Sequence, residues 1–169
     1  MASTIQGRIG ALASAHLLIR AGKSESGTPR EKTLDVLIRA ILAPYLDFTG
    51  TDGGDRAIIK GPEVLIGGDA ATSLALVFHE LATNAAKYGA FLMPSVRVYV
   101  SWTVTTKTLP MVWKERGGPA IQGPPARDGF GSMLARRSVT GQLSGKFAFD
   151  WQAAGLTVKF SAAMERLSP

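Results

Sequence analysis

The stretch Phe78-His79-Glu80-Leu81-Ala82-Thr83-Asn84-Ala85-Ala86-Lys87-Tyr88-Gly89-Ala90 ends a run that begins at Ala70 and contains no Pro and no Gly before Gly89. Its apolar residues recur at helical spacing, at Leu74, Val77, Phe78 and Leu81. Asp69 is the predicted N-cap, and Gly89 stands where a helix-terminating glycine belongs. The sequence therefore predicts a central helix of about 20 residues, roughly 30 Å long.

One face of that helix is polar. Glu80, Asn84 and Lys87 stand at i, i+4 and i+7, so their side chains share a face. A carboxylate and an amide oxygen are hard ligands that suit Mg²⁺, and an ammonium group attracts phosphate. The same pattern also fits a solvated polar face with an i,i+4 pair. The spacing alone leaves both interpretations open.

Composition limits the functional classes. The 169 residues suit one domain, and the absence of Cys excludes disulfides and thiolate metal sites. The sequence has no apolar run of membrane-spanning length and no signal-peptide pattern, so we predict a cytoplasmic location. The net charge of +6 suits a polyanionic ligand or an acidic partner. Because the cations are scattered, with Arg136-Arg137 the only adjacent pair, we predict no nucleic-acid partner.

Helices are predicted before the central stretch. Residues 1–20 carry a single apolar stripe that includes His16, which we interpret as a packed histidine. Residues 21–29 form a loop rich in Gly, Ser and Pro. A second helix is expected to open at a capping box formed by Thr28 and Glu31 and to end near Ala43, before Pro44. Its inward residues are Leu34, Leu37, Ile38 and Ile41.

Strands are predicted on both sides of the central helix. The predicted strands are 56–62, 63–66, 95–105, 108–113, 146–151 and 156–162. The first two flank a turn at Gly61-Pro62, and in 95–105 the alternate residues from Val96 to Val104 are predicted to face inward. A short helix is predicted at 133–140. Because the strands come mainly as adjacent hairpins, we predict an α+β fold. Its sheet would be antiparallel or mixed and covered on one face by helices.

Two glycine motifs follow the central helix. Trp113-Lys114-Glu115-Arg116-Gly117-Gly118-Pro119 puts an acid and then glycines at a strand end, which suits a flat ligand over a carboxylate. Gly129-Phe130-Gly131-Ser132 opens a helix, where free N–H groups favour phosphate. Alone, the first also fits a hairpin end with a solvated Glu, and the second also fits a simple helix start.

Taken together, the motifs resemble a known superfamily. Residues 80–88 resemble the N-box of the Bergerat-fold ATPases, and residues 129–132 resemble their G2 box. His79 directly before Glu80, with Trp113 and Glu115 in the G1-like segment, is similar to the HWE family of bacterial sensor histidine kinases. Pro119 departs from the superfamily pattern, which usually has Gly there. The short, Pro-rich segment 120–128 resembles an abbreviated ATP lid.

The resemblance implies a Bergerat-type two-layer sandwich that binds ATP with Mg²⁺. Asn84 and Glu80 would hold the metal, Glu80 would also act as base or polariser, and Lys87 would neutralise phosphate. The implied nucleotide contacts are Asn84, Lys87, Tyr88, Glu115, Gly117, Gly118, Gly129, Phe130, Gly131 and Ser132. His79 and Trp113 would support these residues without contacting the nucleotide themselves. The role of His79, orienting Glu80 or merely packing, stays open.

The resemblance also implies a domain division and partners. Residues 1–27 resemble the second helix of a dimerisation hairpin with its hinge, and 28–169 the catalytic domain. The phosphoacceptor histidine would belong to a first helix outside this chain, the complete protein would be a homodimer, and a response regulator would receive the phosphoryl group. Two alternatives remain. The first is a degenerate nucleotide-binding or phosphotransfer scaffold that binds partners without kinase activity, and the second is another Bergerat-fold ATPase or a serine kinase of the anti-sigma type.

Overall fold

The central element is a 21-residue helix packed across a mixed sheet. The structure, a computed structural model, describes residues 32–46, 56–93, 96–118, 120–121, 123–124 and 129–168. In chain order the elements are β1 (Lys32–Thr33), α1 (Leu34–Leu46), β2 (Ala57–Lys60), β3 (Leu65–Ile66), α2 (Gly68–Tyr88), β4 (Arg97–Trp102), β5 (Thr108–Arg116), α3 (Phe130–Arg137), β6 (Phe147–Gln152) and β7 (Gly155–Ala163). Short 3₁₀ turns at Ala90–Leu92 and Met164–Arg166 and a π-helical turn at Ser138–Gln142 complete them.

The predicted α+β architecture is confirmed. Within the described residues, five strands form one sheet in the order β2-β4-β5-β7-β6. Every pairing in it is antiparallel except that of β2 with β4, which is parallel. The small pair of β1 with β3 stands apart from it. The predicted turn between β6 and β7 is also present, and Gly155 there has a φ of 138°, which favours glycine.

The core lies between the helices and one face of the sheet. On α2 the residues at helical spacing are buried, as predicted, and Phe78 meets Phe160 edge to face with ring centroids 5.5 Å apart. Alternate residues of β4 and β5, among them Val98, Val100 and Trp113, are buried beneath the helices. This period of two leaves the opposite face of the sheet to solvent. The inward position predicted for Val104 is wrong, because Val104 lies beyond the end of β4 and is 45% exposed.

The helix ends differ from the prediction. Lys32–Thr33 is a strand paired with β3, so α1 begins at Leu34 and not in the predicted capping box, whose residues lie outside the described ones. The α1 helix also continues through Pro44 to Leu46. The ring of Tyr45 stacks on Phe91 at 5.6 Å, and its hydroxyl lies 3.3 Å from Thr83 Oγ1. These contacts hold the last turn, although Pro44 cannot donate a helical hydrogen bond.

Two further corrections concern α2 and β2. The N-cap of α2 is Gly67, which has no side-chain cap, and Asp69 lies in the first turn, where its charge favours the helix dipole. The predicted pair of strands around Gly61-Pro62 exists, but the two do not pair with each other. The Trp102 indole packs so closely on Gly61 that a Cβ there would overlap it, and its Nε1 donates to Pro62 O at 2.8 Å. The Gly61-Pro62 segment therefore packs over Trp102 at the end of β4, and β2 pairs with β4 instead of with β3.

The predicted helix at 133–140 also starts and ends elsewhere. The α3 helix begins at Phe130, directly after Gly129, and is followed by the π-helical turn. The predicted helix at 1–20, which includes His16, lies outside the described residues. The division into 1–27 and 28–169 stays a prediction.

Candidate functional site

The C-terminal half of α2 carries the predicted polar face. Glu80 and Asn84 are half-buried, Lys87 is exposed, and Tyr88 is 79% exposed. Burial raises the pKa of Glu80 above its ordinary value, and the nearby Lys87 ammonium partly opposes this shift in the pKa. The acid and the ammonium therefore act on each other electrostatically, as expected for one shared face.

The second glycine motif meets this face. A Cβ on Gly131 would overlap the carboxylate of Glu80, so the first turn of α3 lies directly against the end of that side chain. Gly129, by contrast, has open space where a Cβ would stand. Ser132 is half-buried, and Phe130 is 44% exposed. The two predicted phosphate-contact segments, distant in sequence, therefore adjoin at Glu80.

The first glycine motif places its acid at the end of α2. The Glu115 side chain is 7% exposed on the inner face of β5. Its Oε2 accepts a hydrogen bond from Ala90 N at 3.1 Å, and its Oε1 accepts one from Trp113 Nε1 at 2.9 Å. A Cβ on Gly89 would overlap Oε2. Burial raises the pKa of Glu115, while these two hydrogen bonds oppose the rise in its pKa.

Trp113 fixes the orientation of that acid. The indole is fully buried two residues before Glu115 on the same strand, so both side chains point to the same face. The carboxylate is therefore held by a side chain from its own strand and by the backbone that follows α2. Gly117, just beyond the strand, has a φ of 87°, a conformation that favours glycine. Gly118 is half-buried, and Pro119 lies outside the described residues.

His79 lies beside the site with an unusual environment. It is half-buried, and its Nδ1 is buried with no hydrogen-bond partner among the described residues. Burial, and secondarily the Lys87 ammonium, lower the pKa of His79 below its ordinary value. The imidazole is therefore held in its neutral form more strongly than a solvated histidine.

The described cavities lie elsewhere. One, of about 570 Å³, is at the opposite end of α2, between Asp69, Ser73, Gln142 and Arg166. Ser73 Oγ and Gln142 Oε1 are 2.6 Å apart there. Within the part of the chain that the structure describes, no three His, Cys, Asp or Glu residues cluster as metal ligands. A divalent ion at Glu80 and Asn84 would therefore depend on ligands from a bound molecule and water.

Known proteins give an independent comparison. The chain is 33% identical over 163 residues to blue-light-activated histidine kinase 1 of Erythrobacter litoralis (strain HTCC2594), an alignment that covers 95% of this chain and 43% of that protein. It is 35% identical over 162 residues to the blue-light-activated histidine kinase of Brucella anthropi, covering 93% of this chain and 31% of that one.

Over most of its length the chain is therefore similar in sequence to part of these histidine kinases. It spans less than half the length of these histidine kinase relatives. No family model matches the chain.

Solved histidine kinase structures share the fold. The histidine kinase domain of the Erythrobacter litoralis EL346 blue-light-activated kinase matches with a TM-score of 0.64 at 17% identity, over 95% of this chain and 75% of that one. The catalytic domain of the histidine kinase ThkA matches with a TM-score of 0.56 at 15% identity, over 79% of this chain and 95% of that one. The chain therefore has the fold of a histidine kinase catalytic domain. None of its described helices is long and apolar enough to cross a membrane.

Sequence reasoning missed two residues of the site. Ala90 N donates to Glu115, and Gly89 leaves the space that Glu115 occupies. The sequence pattern around Gly89 indicates only the end of a helix. The signal that could have revealed its second role is a glycine at the end of the central helix together with an acid on the inward face of a later strand.

Proposed function

We propose that this chain is the ATP-binding catalytic domain of a sensor histidine kinase of the HWE type. In this proposal it transfers the γ-phosphoryl group of ATP to a histidine, for relay to a response regulator. The observation that carries the proposal is the packing of two later segments against the C-terminal half of α2 and the residues that follow it. Gly131 lies against the Glu80 carboxylate, and Glu115 accepts a hydrogen bond from Ala90 N. Sequence similarity to histidine kinases over most of the chain supports it.

The residues fit Mg–ATP by their chemistry. Asn84 and Glu80 offer two oxygen donors on a half-buried face, which suits Mg²⁺, an ion that keeps several ligands from phosphate and water. Because Gly131 has no side chain, a phosphate could approach the backbone in the first turn of α3, where free N–H groups favour it. When bound, the ion would neutralise charge on the phosphates. Lys87 would add a point charge beside them, with Tyr88 nearby.

Glu115 would accept a hydrogen bond from the exocyclic amine of the purine. Both of its oxygens already accept one bond each, and a carboxylate oxygen has a second lone pair to offer. Its fixed orientation would reduce the entropy lost on binding. Gly117 and Gly118 would let the backbone turn closely around the ring.

Glu80 would prepare the acceptor imidazole. Its raised pKa makes it a better proton acceptor than a solvated carboxylate, and its half-buried position still allows contact with a partner. Phosphoryl transfer needs mainly positioning and charge neutralisation, which these side chains supply without covalent participation. His79, next to Glu80 in sequence and with a lowered pKa, would support that side chain in its neutral form.

The test is calorimetric titration of the chain with Mg–ATP. Asn84→Ala should weaken binding at least tenfold, about 1.4 kcal/mol. Thr83→Ala is the matched control, because Thr83 is also half-buried on α2 but lies near Tyr45 on α1. The control should bind as the wild type does. Equal binding by Asn84→Ala and the wild type would refute the site, and no binding by the wild type would favour the scaffold alternative.

Phosphotransfer is tested separately. The chain, Mg–ATP and a supplied histidine-containing hairpin of a related kinase should give an acid-labile phosphoprotein. An acid-stable product would instead indicate a serine kinase of the anti-sigma type.

A further inference from the structure

Among the described residues, the outer face of the sheet carries an excess of positive charge. Side chains that alternate away from the helices on four neighbouring strands form this basic face: Lys60, Arg97, Lys114, Arg116 and Lys159. Among the described residues of these strands and of β6, the only carboxylate on the same face is Asp150. Its Oδ2 accepts a hydrogen bond from Gln152.

None of the five cations of the basic face forms a salt bridge with another described residue. The salt bridge between Arg39 and Asp35 lies on α1, away from this face. Arg97 and Arg116 are also directly opposed across β4 and β5. Like charges in direct cross-strand positions destabilise a sheet. The opposed charges of Arg97 and Arg116 therefore cost the folded protein stability, and an external anionic partner is a physical reason for them.

The basic face includes a formed recess. A cavity of about 330 Å³ is lined by Tyr99, Ser101, Val112, Lys114 and Arg116. Tyr99 and Val112 can contact an aliphatic stem, and the two cations can contact a carboxylate at its end. The recess therefore suits an acidic side chain.

Arg116 is held in place before any partner arrives. Its guanidinium donates to Glu115 O at 2.8 Å, to Gln152 Oε1 at 3.3 Å and to Thr157 Oγ1 at 3.4 Å. An ordered guanidinium loses less side-chain entropy on binding a carboxylate than a free one does. Guanidinium groups also match the planar geometry of a carboxylate.

We propose that the basic face is a docking surface for an acidic protein surface, one of whose carboxylates lies between Lys114 and Arg116. A positively charged face favours a negatively charged partner. A single-stranded nucleic acid is less suitable, because Tyr99 is the only aromatic ring on the described part of this face, and such binding uses successive stacking rings. Glu115 points to the inner side of β5, so this surface is separate from the proposed nucleotide site.

The test uses poly-L-glutamate as the probe, titrated into the ¹⁵N-labelled chain and followed by NMR. We expect shifts concentrated at Tyr99, Ser101 and Lys114, and weaker binding as the salt concentration rises to about 0.15 M. The double variant Arg97→Gln/Lys114→Gln should weaken binding about fivefold. The control Arg39→Gln/Lys107→Gln removes the same charge from α1 and from the turn between β4 and β5, and should change binding less than twofold.

Further readouts separate docking at this face from a general effect of net charge or of lost stability. Arg97→Gln should raise the thermal midpoint, because it relieves the opposed pair with Arg116. The wild type and both double variants should behave alike toward Mg–ATP. Either all three bind it, or, if the proposed function is wrong, none does. Equal weakening in the two double variants would overturn the proposal, because binding would then follow net charge alone. Tighter binding of poly-dT at the same residues would also overturn it, in favour of a nucleic-acid interface.

Discussion

The hydrogen bond from Trp113 Nε1 to Glu115 gives a prediction with a distinctive pH dependence. The bond is 2.9 Å long, and both side chains are buried. Trp113→Phe removes the donor and part of the ring. A hydrogen bond to a charged group contributes about 2 kcal/mol, and truncating a buried ring costs roughly 1–2 kcal/mol more. We therefore expect the free energy of unfolding to fall by about 3–4 kcal/mol where Glu115 is ionised.

The sign of the pH dependence follows from the pKa. Burial raises the pKa of Glu115 in the folded state above its value in the unfolded chain. The folded state therefore loses stability as the pH rises from the unfolded pKa to the folded pKa. Losing the Trp113 bond raises the folded pKa further. Trp113→Phe therefore loses more stability when Glu115 is ionised than when it is protonated. This additional loss is present above the folded Glu115 pKa values of both the wild type and the variant, and it disappears as the pH falls through them. Because the protonated acid still accepts a neutral hydrogen bond, the change in penalty should be about 1 kcal/mol.

Trp102→Phe is the matched control. Trp102 is also a buried tryptophan of the sheet, but its Nε1 donates to the neutral carbonyl of Pro62 at 2.8 Å. Its penalty should not change with pH. The measurement is urea unfolding of the wild type and both variants between about pH 8 and pH 4.5. The reasoning is refuted if the Trp113→Phe penalty is constant across this range, or if Trp102→Phe shows the same pH dependence.

The other predictions concern the end of α2. Gly131→Ala should displace the carboxylate end of Glu80, which belongs to a flexible side chain, so stability should change by no more than about 1 kcal/mol in thermal unfolding. The NMR signals of Glu80 should nevertheless shift more than in Gly129→Ala, which has open space at its Cβ. Glu80→Gln should retain Mg–ATP binding within about threefold but slow phosphotransfer by roughly 10²-fold or more in a single-turnover assay; unchanged transfer would remove Glu80 from the chemistry. Lys87→Met should raise the pKa of His79, and NMR titration of its ring protons should show no change if Lys87 is not a cause.

Much of the fold could be predicted from periodicity. The 3.6-residue period between Ala70 and Tyr88 and the alternation in Val96 to Trp102 reflect which side of each element faces the core. Both are local patterns, so they needed no knowledge of neighbours. The predicted ends of α1 were wrong for the opposite reason. The contacts of Tyr45 with Phe91 and Thr83, and the pairing of β1 with β3, join residues distant in sequence.

The predicted site residues stand in the sequence as three separate motifs. The spacing of Glu80, Asn84 and Lys87 follows from helical geometry alone, so the sequence by itself determined their common face. It also determined that Trp113 and Glu115 point to the same side of a strand.

Only the tertiary structure decided how those motifs meet. Whether Glu115 is solvated at a hairpin end or buried depends on where β5 lies relative to α2, and the bond to Ala90 joins positions 25 residues apart. The contact of Gly131 with Glu80 and the parallel pairing of β2 with β4 depend on packing in the same way. The basic face likewise arises from strand register, which brings scattered cations of four strands together. Local preferences are written in neighbouring residues, whereas these arrangements are set by the burial of one common core.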